Sequence, residues 1–138
     1  MGQSRYTRPH AQPGDPLDLD KLRTVALSDA CEDYQGLYEL VWYLNGREPS
    51  TPRADKVAAA SAVLQDLLRT GHISLYTSVW AEGEFQPVPP EKQLAIAADP
   101  ASYADPPQPP AKYVSYASTP EGEQVYRSLP ESAFEGLW

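Results

Sequence analysis

The chain has 138 residues, enough for one domain with a single modest core, and its formal net charge is −8. The charge is uneven: residues 1–27 hold four basic and three acidic side chains, residues 28–138 seven and sixteen, which opposes sequence-independent attraction to phosphates. One cysteine, Cys31, excludes an internal disulfide framework, and no apolar run approaches the roughly 20 residues of a membrane helix.

Residues 1–16 mix Arg, Gln, His, Pro and Asp with little that could be buried, and a flexible tail is expected there. Met1 to Gly14 lacks the apolar core of a signal peptide, so a cytoplasmic location is expected. Leu17, Leu19 and Leu22 suggest a short lead-in element. A first helix is expected over Ser28 to Asn45, capped by Ser28. In it Tyr34, Leu37, Tyr38, Val41, Trp42 and Leu44 recur at helical spacing as one apolar stripe, read as core. Asn45-Gly46 supplies its stop, and Gly36 inside it reads as a tolerated defect costing about 1 kcal/mol.

Thr51-Pro52 opens a second helix, with Val57, Ala60, Leu64, Leu67 and Leu68 as its buried side and Gly71 as its end. His72 to Trp80 alternates cleanly, with Ile73, Leu75, Thr77 and Val79 on one face, which predicts a strand. Glu82-Gly83 is a turn, and Phe85 to Val88 can return as a short strand restricted by Pro87 and Pro89. One or two helical turns are expected within Lys92 to Ala98. Residues 99–111, with Pro106-Pro107-Gln108-Pro109-Pro110, read as a stiff, extended connection. A strand over residues 112–118 follows. Thr119-Pro120 then caps a final helix whose Val125, Tyr126 and Leu129 face inward. The organisation is therefore a tail (1–16), one domain (17–129) and a C-terminal tail (130–138) with an apolar end.

The stretch Leu67-Leu68-Arg69-Thr70-Gly71-His72-Ile73, and Ala117-Ser118-Thr119-Pro120-Glu121-Gly122 after the second strand, carry a family resemblance. The chain resembles winged-helix proteins of the bacterial regulator type over roughly residues 36–128. The resemblance implies an α+β fold, helices packed on a small antiparallel sheet, with a long Pro-rich connection between the wing strands. It makes residues 52–70 the recognition helix, and Arg47, Arg53 and Lys56 near its start the nucleic-acid contacts. This chain departs from the pattern in three ways. Residues 46–52 leave little room for a helix before the recognition helix, the connection exceeds thirty residues, and the outward positions Asp55, Ala59, Ala62, Gln65, Asp66 and Arg69 are not basic.

Catalytic chemistry is thinly supplied. His10 lies in the expected tail, and His72 at a helix–strand junction reads as a local polar contact. Cys31 lacks a cationic neighbour that would activate it. Two distant histidines and one cysteine offer no metal-ligand spacing, and Glu82 and Glu84 fit a solvated hairpin tip. No catalytic residue, cofactor or metal is expected. Nine tyrosines and three tryptophans against two phenylalanines instead suit a contact surface. Trp80, Phe85 and Trp138 are the expected protein-binding residues. Trp138 has two readings, a tail pinned back on the domain or a contact with a partner or second copy. The leading expectation is a non-enzymatic module that binds a protein, with a basic partner favoured by the acidic surface and an immunity or antitoxin role by analogy. The alternative is a winged-helix DNA-binding regulator.

Overall fold

A computed structural model describes residues 17–79, 84–106 and 112–137. Among these the protein is α+β, with five α-helices and a small four-stranded antiparallel sheet. In chain order the elements are α1 (Leu19–Glu32), β1 (Gln35–Gly36), α2 (Leu37–Arg47), α3 (Arg53–Arg69), β2 (Ile73–Val79) and β3 (Gln86–Pro87), then α4 (Pro90–Ala98), β4 (Lys112–Ser118) and α5 (Pro120–Arg127). Short 3₁₀ turns at Pro100–Tyr103 and Glu131–Phe134 complete the set. The strand order is β1-β4-β2-β3. The central pair, β2 with β4, runs from Ile73 opposite Ser118 to Val79 opposite Lys112.

The single helix expected over Ser28 to Asn45 is two helices. Asp18, not Ser28, caps the first, accepting the Lys21 N–H at 3.1 Å. Ser28 is buried inside α1. The helix ends because Asp33 is fully extended and its carboxylate takes the Tyr34 N–H at 2.7 Å, a local bond that competes with the helical ladder. Gln35 and Gly36 then pair with Tyr116 and Ser115. Gly36 is therefore a boundary rather than a defect. Its N–H is held by the Glu39 carboxylate at 2.6 Å, and the ring of Tyr38 fills the space a Cβ would need. This break also supplies an eleven-residue helix, α2, before α3, where residues 46–52 alone left little room for one.

The boundaries of α3 agree with its sequence signals, and Gly71 ends it at φ +77°. Its buried face is broader than the apolar stripe and takes in Lys56, Ala59 and Ser61. Ala59 is thus not an outward position, and Val57 and Leu68 are only half-buried. The core lies between the helices and one face of the sheet: Leu22 and Val25, Leu40 and Val41, Val63 and Leu64, then Leu75 and Tyr116.

The connection between β2 and β4 carries structure of its own. Val88 is buried, its N–H bonded to the Leu75 carbonyl. Buried Gln93 reaches from α4 to the Leu75 N–H, Ser74 Oγ and the Val88 carbonyl. Tyr103 sits fully buried, its hydroxyl donating to the Ala97 carbonyl at 2.8 Å. Thr119 caps α5 as expected, accepting the Gly122 N–H at 3.1 Å. The inward set differs, however: Gly122 is the buried residue of α5 and Val125 is exposed. Residues 131–137, expected as a tail, pack on the domain. Leu137 is fully buried, and its carbonyl accepts from Tyr43 while that of Gly136 accepts from Arg47.

Asp29, near the end of α1, has its carboxyl pushed up to about 6, first by burial and then by Glu32 and Glu39. An acid held above its unfolded value of 3.8 makes the fold lose stability as pH rises from about 4 to 6, because the folded state then carries a costly ionised group. Asp29→Asn is therefore expected to stabilise the protein above pH 6 and to make no difference below pH 4. The shift alone corresponds to at most about 3 kcal/mol. For a half-buried carboxyl about 1–1.5 kcal/mol is expected, checked by urea denaturation of both proteins across that pH range.

Candidate interaction surface

The sheet register sorts side chains between two faces. Leu75 and Tyr116 lie opposite each other on the core face, so Tyr76 with Ser115, and Ser78 with Tyr113, share the other. Aromatic rings from several elements gather on that second face. Tyr34, just before β1, meets Tyr76 edge-on at 5.0 Å between ring centroids. Phe85 stacks on Tyr34 at 3.9 Å with the planes 7° apart. Tyr38, seated over Gly36, contacts Trp42 at 4.7 Å and Tyr113 at 6.5 Å. Such pairs contribute about 0.5–1.5 kcal/mol each beyond their buried area, so the rings form a preorganised strip.

Two of these rings remain open to water: Tyr34 is 39 % and Trp42 49 % exposed. The stripe read as core therefore divides, with Leu37, Tyr38, Val41 and Leu44 buried and Tyr34 and Trp42 on the surface. Carboxylates alternate with the rings. Asp33 binds the Tyr34 amide, exposed Glu84 precedes Phe85, and Asp105 accepts the Trp42 Nε1–H at 2.7 Å. Burial, and then the neighbouring Glu39, push the Tyr38 hydroxyl up to about 12, so it stays neutral. The strip thus combines apolar contact area with negative charge, a surface that attracts cationic groups through ring faces and carboxylates alike.

Of the expected protein-binding residues, Phe85 belongs to this strip, whereas Trp80 and Trp138 lie outside the described residues. Sequence reasoning missed Tyr34 and Trp42 as surface groups. No local signal marked either one, because Tyr34 and Trp42 keep helical spacing with Leu37, Tyr38 and Val41 across the break at Asp33, where the carboxylate takes the Tyr34 amide.

The three cations assigned to nucleic acid each have an internal partner. Lys56 is 5 % exposed and donates from Nζ to Asn45 Oδ1 at 3.1 Å. Arg53 donates to the Tyr103 carbonyl at 3.3 Å, and Arg47 to that of Gly136. Farther along α3, Arg69 leans on Asp66, which also holds Arg23 at 2.8 Å.

His72 makes a local contact. Thr70 Oγ1 lies within hydrogen-bond distance of the Asp66 and Leu67 carbonyls and 3.0 Å from His72 Nδ1. Burial pushes the Cys31 thiol up, with a Ser118 hydrogen bond opposing the shift, and a raised thiol is a poor nucleophile. His10 and Glu82 lie outside the described residues. Among those described, no three His, Cys, Asp or Glu side chains converge as a metal site would require, and no helix is long and apolar enough to cross a membrane. Comparison of the chain with protein-family models, with curated proteins and with solved structures finds no match.

Proposed function

We propose that this protein is a non-enzymatic interaction module on a winged-helix-like scaffold, and that it binds a basic protein in the manner of an immunity or antitoxin partner. The observation that carries this reading is the carboxylate-flanked strip of stacked rings, with Tyr34 and Trp42 open to water. Binding hot spots are enriched in such aromatic anchors, and acidic surroundings speed the approach of a basic partner. The scaffold reading draws support from the element order. A helix precedes α3, α3 runs through Gly71 into β2, and β2 pairs antiparallel with β4 as two wing strands would.

The same order favours a second reading, a DNA-binding regulator with α3 as its recognition helix. Against it stand the internal partners of Arg47 and Lys56 and the exposed alanines Ala54, Ala58 and Ala62 on α3, which leave Arg53, among the described residues, as the one outward cation near its start. A DNA reader needs outward cations to position phosphates.

One experiment separates the two. The tagged chain is used to capture ligands from a lysate of its source organism, with nuclease treatment, alongside Tyr34→Ala and Phe85→Ala variants. A stoichiometric protein should be retained after nuclease treatment and lose about tenfold or more in affinity with either variant, while each variant stays folded with a thermal midpoint lowered by only a few degrees. Wild-type affinity in both variants removes the strip. Ligands that disappear with nuclease, and duplex binding that falls steeply with salt, shift the reading to the regulator.

A further inference from the structure

A concave groove of about 630 Å³ runs along the outer side of α3, walled on its far side by the end of α4 and the turn that follows. Its floor is Ala54, Val57, Ala58 and Ala62, and the opposing wall is Ala98, Pro100 and Ala104. The volume falls within the roughly 300–1,000 Å³ range of small-ligand sites, which are apolar with a few placed polar groups.

The polar groups define what it would hold. At the far end Ser61 donates to the Ala97 carbonyl at 2.6 Å, Gln65 donates to Ser61 at 2.9 Å, and Arg69 donates to Gln65 Oε1 at 3.2 Å. These groups are tied to one another, and Arg69, paired with Asp66 at 3.8 Å, does not line the groove. Arg53, at the near end, is different. Its described hydrogen bond is the long one to the Tyr103 carbonyl, 3.3 Å, which leaves most of a five-donor guanidinium fork for a planar anion. The groove therefore pairs an apolar trough with one cationic end, in a protein whose net charge is −8.

We infer that this groove binds a small organic monocarboxylate with an apolar body, its carboxylate on Arg53 and its chain along Ala54, Ala58 and Ala62. The inference is independent of the aromatic strip, which draws on none of these residues. A bidentate contact to guanidinium favours a carboxylate over an alcohol of equal length, and an amine is repelled.

The test is titration calorimetry of the full chain with decanoate, decanol and decylammonium. Decanoate should saturate at one equivalent, decanol should bind about two- to fivefold more weakly, the worth of one exposed ion pair, and decylammonium should not bind. Arg53→Gln should abolish the preference for decanoate over decanol while retaining decanol binding. Ala58→Trp, placed on an exposed position so that the fold tolerates it, should abolish binding of both. Decanoate binding that survives Ala58→Trp, that shows no preference over decanol in the wild type, or that never saturates overturns the inference.

Discussion

Tyr103→Ala is expected to lower folding stability by about 3–5 kcal/mol, the range found when a large buried ring is removed. The ring is fully buried although it comes from a turn among prolines and alanines. Its hydroxyl donates to the Ala97 carbonyl, tying that turn to the end of α4, and its own carbonyl accepts from Arg53 of α3. Truncation leaves a ring-sized void at the junction of α3 and α4, which rigid helices close poorly. Tyr103→Phe isolates the hydroxyl. It should cost about 1 kcal/mol, because Ser61 still satisfies the Ala97 carbonyl. Urea denaturation measures both. A loss under about 1 kcal/mol for the alanine variant would show that residues 90–104 are not docked on the domain.

Gly122→Val is expected to cost about 3 kcal/mol or more, through overpacking against backbone rather than loss of contact. A Cβ at Gly122 would overlap the carbonyl oxygen of His72, and that oxygen cannot swing aside because it accepts the Thr119 N–H at 3.0 Å. Either α5 lifts from the β2 entry or the bond breaks. Gly122→Ala meets the same atom and should lose most of the same stability. Thermal denaturation of the two variants reads this directly, and a midpoint within error of wild type would mean that α5 does not rest on that turn.

How far residues announce structure here depends on whether their pattern is local. The α3 helix and strand β2 are legible because period 3.6 and period 2 each run uninterrupted for seven residues or more, and β4 because it is rich in tyrosine and valine between proline-rich segments. The helix break at Asp33 is not, because Tyr34, Leu37, Tyr38 and Val41 keep helical spacing straight through it. The two-residue strand β1 is too short to show alternation, and its partners Tyr116 and Ser115 lie far along the chain. Tyr103 is invisible for a related reason: nothing beside it in sequence is apolar enough to mark a core position. At the candidate surface, the skew toward Tyr and Trp pointed to Phe85 and its neighbourhood. It could not separate Tyr38, buried over Gly36, from Trp42 one turn later on the surface, since burial there is decided by the sheet.

Both outer strands of the sheet are two residues long, β1 at one edge and β3 at the other. The first passes at once into α2, and the second contains Pro87, which has no N–H to offer. Long, flat, unpaired edges are the usual template for runaway strand addition between molecules, and this sheet presents neither edge in that form. Among the described residues, lengthening of the sheet by pairing between copies of the chain at β1 or β3 is therefore disfavoured.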